Sequence, residues 1–298
     1  MKQTLTAQGR RRRLNNNLSS YAFLLPWLVI LLVFTLYPFV EGIRMSLYDY
    51  GLKKQTFVGL ENFRQLMTDQ AFWTSVLVTL KMCLIIIPGT IVASLTVAYA
   101  IQDIPDRWKG VVKAVFYLAS IISQVALVMT WKWMFNPSFG LYKSLCNRFG
   151  FVELNLLGDA TYSIPLISIL VLSFTVSQPI VLFSAAIDAV PVAYYEAAEL
   201  DGAGRFTQFR KITLPSIRDV LLLVTVTTTI NNLQVFVVPQ LLTGGGPNGQ
   251  TSPVLLQIYR SAFEYGKYGY ASAMGVVLFC VIAVLVAVQF WLQRRKED

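Results

Sequence analysis

The sequence predicts an all-α polytopic membrane protein with six transmembrane helices and both termini in the cytoplasm. Of its 298 residues, 55% are hydrophobic and only 14% charged, with a mean hydropathy of +0.56, so lipid is the solvent for which the chain is built. Apolar runs long enough to cross a bilayer recur along it, separated by short polar stretches. The basic residues are distributed unevenly: 15 of the 25 Lys and Arg fall in 1–21, 102–113, 188–219 and the tail beyond 292. Those are the segments that a six-span arrangement places inside the cell.

Residues 1–20 form a basic N-terminal tail whose Arg10 to Arg13 directly precede a span at about 21–40. Four arginines hold that end in the cytoplasm. The apolar run is too long for a signal-peptide core and no small-x-small cleavage site comes after it, so the span is expected to stay. Pro26 and Pro38 fall near its ends, where a helix tolerates proline best. Residues 41–74 turn polar and aromatic, as in an external loop that is partly helical at the membrane surface. The second span, about 75–101, contains Pro88-Gly89, which can kink it. A short inner connection leads to the third span, about 111–134, with Trp131, Trp133 and Phe135 at its outer end as interfacial aromatics. An external loop over 136–160 precedes the fourth span, about 161–186. The fifth runs over about 216–238 and leads into a Gly-rich external loop, and the sixth, about 271–292, ends in the tail 293–298 with Arg294-Arg295-Lys296.

Between the fourth and fifth spans lies a polar, helix-prone island, 189–215. Pro191 suits a first helical turn, and Val192 to Leu200 is rich in the good helix formers Ala, Glu and Leu. Asp201 and Gly202 break this helix. Asp201 is able to cap the next helix, Gly202 can take a backbone conformation closed to other residues, and 205–211 reads as a second short helix that Leu214-Pro215 ends. The result is a helix-turn-helix hook on the cytoplasmic side. Glu196-Ala197-Ala198, with Gly202 and then Ile212 and Leu214-Pro215 at their spacing, resembles the EAA loop of the membrane subunits of ABC importers. In that family the loop is a coupling helix that docks into a cleft on a cytoplasmic ATPase. Ala197 and Ala198 would permit close approach, and Glu196 could make a charge-assisted bond. Arg205, Arg210 and Lys211 fit either partner contact or plain solvated charge.

Weaker stretches along the whole chain resemble the carbohydrate-uptake branch of these permeases: FVGLENF at 57–63, FNPSFG at 135–140, LTGGGPNGQT at 242–251 and GYASA at 269–273. These permeases commonly carry a proline where Leu118-Ala119 stands here. The glycine run is also a near miss to a phosphate-binding loop, but Gln250 takes the lysine position and the segment is expected outside the cell. Its role is either a tight structural turn or contact with a binding protein. The chain has no Walker motif elsewhere.

Enzymatic chemistry is disfavoured by the absence of histidine and of paired carboxylates in the spans. The three cysteines, Cys83, Cys146 and Cys280, have no metal-ligand spacing and read as structural. Basic residues spread over loops, not interleaved with aromatics on one face, argue against nucleic acid. Polar residues inside apolar spans usually face a bundle interior or a watery cavity. Asn231, Asn232 and Gln234 beside Phe236, and Ser177 with Gln178, would suit a sugar, because amides donate and accept and aromatic rings stack on C–H faces. Hydrogen bonds that only hold helices together are the alternative.

The resemblance implies a type I ABC importer transmembrane domain over 21–292 in a prokaryotic inner or plasma membrane. It implies a second, related permease, most commonly non-identical, two cytoplasmic ATPase subunits that bind the ATP and Mg, and an extracytoplasmic solute-binding protein. This chain itself would bind no cofactor or metal. A permease for another polar solute such as glycerol phosphate, or a free-standing secondary carrier, are the alternatives.

Overall fold

The computed structural model describes residues 23–51 and 55–294. The arginine run of the N-terminal tail and Arg295-Lys296 of the C-terminal one lie outside the described residues. Helix α1, Phe23–Ser46, is 24 residues long. It runs past the expected end at 40, so Pro38 lies inside it. A π-helical turn over Leu32–Leu36 immediately before the proline adjusts the backbone where its ring would otherwise meet the preceding turn. A short antiparallel hairpin comes next, β1 Tyr48–Tyr50 and β2 Gln55–Phe57. The connection expected as an external loop continues as α2, Glu61–Thr68, so it is partly helical, but its hairpin carries no alternating pattern long enough to be read from sequence.

Asn62, from the FVGLENF stretch, is buried, and its Nδ2 donates to the carbonyls of Ser46 and Tyr48 at 2.8 and 2.9 Å. It ties the end of α1 to the hairpin. On the other side of β1, a side chain at Gly269 would collide with the Tyr48 carbonyl. The glycine of GYASA is thus a point of close backbone approach.

Helix α3, Gln70–Ile101, is the central element. Asp69 caps its start by accepting from Ala71 N at 2.8 Å. It continues as one 32-residue helix through Pro88-Gly89. Gly89 serves packing: a Cβ there would collide with the Leu172 side chain. Helix α4, Asp106–Ile121, and α5, Gln124–Met134, replace the single third span, because Ile122 and Ser123 adopt extended backbone. The break comes just after Leu118-Ala119 and contains no proline. Helix α6, Leu141–Phe149, lies in the connection between α5 and the fourth expected span, where Asn136 Oδ1 accepts from the amides of Ser138 and Phe139.

The fourth span is also divided. Helix α7, Ala160–Thr175, and α8, Ser177–Asp188, meet at Val176 with a bend of 48°. Helix α9, Val192–Leu200, and α10, Arg205–Gln208, form the hook. The fifth span is α11, Arg218–Leu233, interrupted at 234–236 and resumed as α12, Val237–Leu242. Helix α13, Val254–Tyr259, precedes α14, Tyr268–Arg294. Between α12 and α13 the glycine loop closes on itself: Thr243 and Thr251 share a hydroxyl bond of 2.8 Å, and Arg260 Nη2 donates to the Gly244 carbonyl.

By length and hydropathy, four described helical segments can cross a membrane, and the bent pair α7–α8 makes a fifth. The residues of the expected third span are helical, but each half is shorter than a bilayer core, about 24 Å for α4 and about 16 Å for α5 at 1.5 Å per residue. Three apolar clusters hold the bundle. One joins α3, α5, α7 and α12 through Met82, Ile86, Val128, Ile167 and Val238. A second joins α2, α3, α13 and α14 through Leu66, Phe72, Val254 and Met274. The third joins α3, α8 and α11 through Leu95, Ala98, Phe183, Ile187, Ile217 and Val224.

Candidate coupling hook and membrane cleft

Helix α9 begins after Pro191, whose extended backbone (φ −57°, ψ 127°) turns the chain into it. It closes with a Schellman arrangement: Gly202 N donates to Glu199 O at 3.0 Å and Ala203 N to Ala198 O at 2.8 Å, with Gly202 at φ +72°. A left-handed residue at this position explains the glycine. Asp201 occupies the C-cap of α9, and the N-terminus of α10 falls to Gly204, so Asp201 does not cap the second helix as expected. Nor do Leu214-Pro215 end that helix. The chain runs on from α10 through a π-helical turn, Phe209–Thr213, and a further turn, Leu214–Ser216, before it kinks at Ile217. Proline in the first turn of that last piece costs no hydrogen bond, which is why it does not stop the helix.

The hook has an exposed side and an anchored side. No residue of α9 is buried. Glu196, Ala197, Asp201 and Gly202 are exposed and Ala198 is half-buried. Leu200 is 91% exposed and Phe206 76%, so two large apolar side chains stand free beside the small EAA residues. Ile212 and Leu214, in contrast, pack against the Leu95–Phe183–Ile217 cluster, while Pro215 stays exposed. The anchoring continues onto α3. Tyr99 stacks edge-on against Phe209 at 5.0 Å and its hydroxyl donates to Arg205 O at 3.3 Å. Arg205 pairs with Asp103 at 2.8 Å, and Tyr195 shares a hydroxyl bond of 2.9 Å with Thr213. Lys113 of α4 meets Asp188 at 2.6 Å, joining α4 to the end of α8.

Above the hook, the three interrupted spans converge on a cleft of about 220 Å³. It is lined by Ser120 from α4, Thr175, Gln178 and Phe174 from the α7–α8 bend, and Thr227, Thr228, Asn231 and Asn232 from α11, together with Pro179, Leu182 and Val224. Broken backbone at membrane depth is tolerated where it is buried in protein or lines a watery cavity, and the bend at Val176 borders this one. Asn232 is buried, its Nδ2 donating to Thr228 O at 2.8 Å, while Asn231 is exposed to the cleft. Among the described residues the lining carries no charge.

The structure therefore brings Gln178, Asn231 and Asn232 together and leaves the other three candidates outside. Ser177 is buried within the bend. Gln234 is exposed beyond the end of α11, and Phe236 packs at 5.1 Å from Tyr259 of α13. Helical phase explains the split: Val224, Thr227, Thr228 and Asn231 recur at three- and four-residue spacing on one face, and the helix stops before 234. The same phase would have identified Thr227 and Thr228 from sequence. Ser120 and Thr175 carry no such signal.

The model of the binding-protein-dependent transport system inner membrane component matches residues 92–298. The probable ABC transporter permease protein YurN of Bacillus subtilis is 31% identical over 290 residues, covering 95% of this chain and 99% of that one. The trehalose/maltose transport system permease protein MalF of Thermococcus litoralis is 29% identical, with 96% and 100% covered. The multiple sugar-binding transport system permease protein MsmF of Streptococcus mutans is 31% identical, with 96% and 99% covered. Among solved structures, a chain of a bacterial alginate ABC transporter in complex with a pentasaccharide-bound periplasmic protein superposes with a TM-score of 0.83 at 23% identity, covering 95% of this chain and 96% of that one. That likeness extends over both the hook and the cleft and gives the fold. With more than half of its length matched by the family model and a relative above 30% identity over nearly all of it, this multi-pass membrane chain belongs to the family of binding-protein-dependent transport system inner membrane components.

Proposed function

We propose that the chain is a permease subunit of an ATP-driven importer that carries a neutral sugar or oligosaccharide into a prokaryotic cell. The observation that supports it most is the cleft beside the Val176 bend: amides and hydroxyls from α4, α7, α8 and α11 face one space with Phe174, and among the described residues no cation or carboxylate lines it. A sugar needs donors and acceptors in alternation, and amides supply both. An anion such as glycerol phosphate would require positive charge there. Relatives named for trehalose/maltose and multiple-sugar transport support the same reading.

In this reading α4 and α5 together make the third of six crossings, with both termini inside. A second, non-identical permease completes the cavity, two cytoplasmic ATPases bind the ATP and Mg, and a periplasmic or cell-surface binding protein delivers the solute. Closure of the ATPases moves the hook, Glu196, Ala197, Ala198 and Gly202 forming its docking surface with Leu200 and Phe206. Gln178, Asn231 and Asn232 hold the solute while access alternates. Family membership displaces the free-standing carrier as an alternative.

The test is co-purification of the tagged protein with its ATPase and second permease, then reconstitution with the binding protein and a panel of labelled neutral disaccharides, trisaccharides and glycerol 3-phosphate. Uptake of a neutral sugar that requires ATP is expected. Uptake of glycerol phosphate alone would overturn the sugar assignment, and uptake without ATP would overturn the importer.

A further inference from the structure

Helix α3 holds the hook at one end and, further along, a residue of the cleft's lining. At its inner end, Tyr99 of α3 holds the hook twice, ring to ring with Phe209 and hydroxyl to the Arg205 carbonyl. Nine residues earlier, about 14 Å along the axis at 1.5 Å per residue, Thr90 shares a hydroxyl contact of 3.3 Å with Thr175. Thr175 ends α7 at the 48° bend and lines the cleft. One residue before Thr90, Gly89 admits the Leu172 side chain so closely that no Cβ fits between them. The intervening turns of α3 are packed: Ser94, Leu95 and Ala98 are buried, the last two against Phe183, Ile187 and Val224. Close-packed segments transmit displacement instead of absorbing it.

We infer that Tyr99 is a positioning residue through which movement of the hook reaches the cleft, by way of the inner half of α3 and its Thr90–Thr175 and Gly89–Leu172 contacts, beside the direct passage of the chain through α8 and α11. The nearby Arg205–Asp103 pair is the weaker fastening. Its side chains are 75% and 58% exposed, and pairs of that kind contribute little. The Tyr99 ring is the stronger one, because an aromatic pair adds packing that salt does not screen. Coupling of this sort requires an element with two arrangements that both sites bias, and the bend at Val176, which carries Thr175 and Gln178 on its two sides, is that element.

This inference rests on the importer reading. Its test uses the full complex with ATPase and binding protein, in a background with Cys280→Ser and a reporter cysteine in the cleft, Thr227→Cys, labelled by a water-soluble maleimide. In the Tyr99-containing complex, trapping with ATP and vanadate, which holds the ATPases with ADP and vanadate after one turnover, is expected to change the labelling rate about fivefold or more, a coupling of ordinary size. Tyr99→Ala should hydrolyse ATP and retain the ATPase on purification, while the labelling rate no longer responds to nucleotide. Tyr99→Phe, which keeps the ring on Phe209, should restore the response. An undiminished response in Tyr99→Ala would overturn the inference. So would parallel loss of response and of ATPase retention, which would mean that Tyr99 only holds the hook's shape. No nucleotide response in the Tyr99-containing complex itself would instead overturn the importer reading.

Discussion

Helix α9 buries none of its residues and owes its ending to one left-handed glycine, whereas the cleft is walled by residues from three separate spans beside the bend at Val176. A hook of this kind is specified by its own nine residues and the turn after them. The cleft is specified by none of the segments that form it. A single change in the hook should therefore spoil docking and leave the bundle intact, while a change in the cleft should spoil recognition and leave docking intact.

The largest effect is expected at Gly202. At φ +72° any side chain costs about 1–2 kcal/mol in the left-handed region, and Gly202→Asp adds a charge to the exposed side of the hook. Uptake should fall at least about tenfold, with amounts of membrane-inserted protein unchanged on a blot and less ATPase recovered with it. Glu196→Lys, which leaves the backbone alone and reverses a charge, should act in the same direction. Full transport by both variants in an assembled complex would remove the hook from the mechanism. An intermediate effect is expected for Asn232→Leu, a replacement of similar size that deletes the bond to Thr228 and one amide of the cleft. Losing a polar contact there should raise the transport KM by roughly tenfold, with ATPase recovery unaffected. Equal loss of ATPase recovery would show that hook and cleft are not separable. The smallest effect is expected for Asp103→Asn. Removing an exposed pair to Arg205 should alter uptake by less than about threefold, and the change should vanish at high salt.

The same contrast explains what could be read from the sequence. The hook was legible residue by residue, because a Glu-Ala-Ala helix with Gly202 at a fixed distance beyond it is a local pattern, and the backbone carries out locally what the glycine allows. Two details failed there: Asp201 as a cap for the next helix, because Gly204 is nearer to α10 and takes that position, and Leu214-Pro215 as its end, because proline in a first turn costs no hydrogen bond. Long apolar runs were legible too, though helices α1 and α3 extend beyond their apolar stretches at the ends facing the hairpin, where α2 and the hairpin pack against them or against α14. The breaks were not. Pro88-Gly89 looks like an interruption yet lies inside a continuous α3, whereas Ile122-Ser123 looks like ordinary span and is extended. Packing against α7 decides the first, and neither residue type at the second announces a break. Of the binding candidates, the three that share the cleft could be separated from Ser177, Gln234 and Phe236 only by helical phase and by knowing where α11 stops.

The berth of α1 has a consequence for how the protein is made. Within this chain, α1 rests chiefly on α14, with Phe39 and Phe279 edge to face at 4.9 Å, and the hairpin after α1 leaves room for nothing larger than the hydrogen of Gly269. A span translated early is thus completed by one that follows all the other described spans. Until the ribosome has delivered α14, α1 waits in the bilayer without its neighbour, and a chain truncated before 268 should be prey to membrane proteases even with hook and cleft already synthesised.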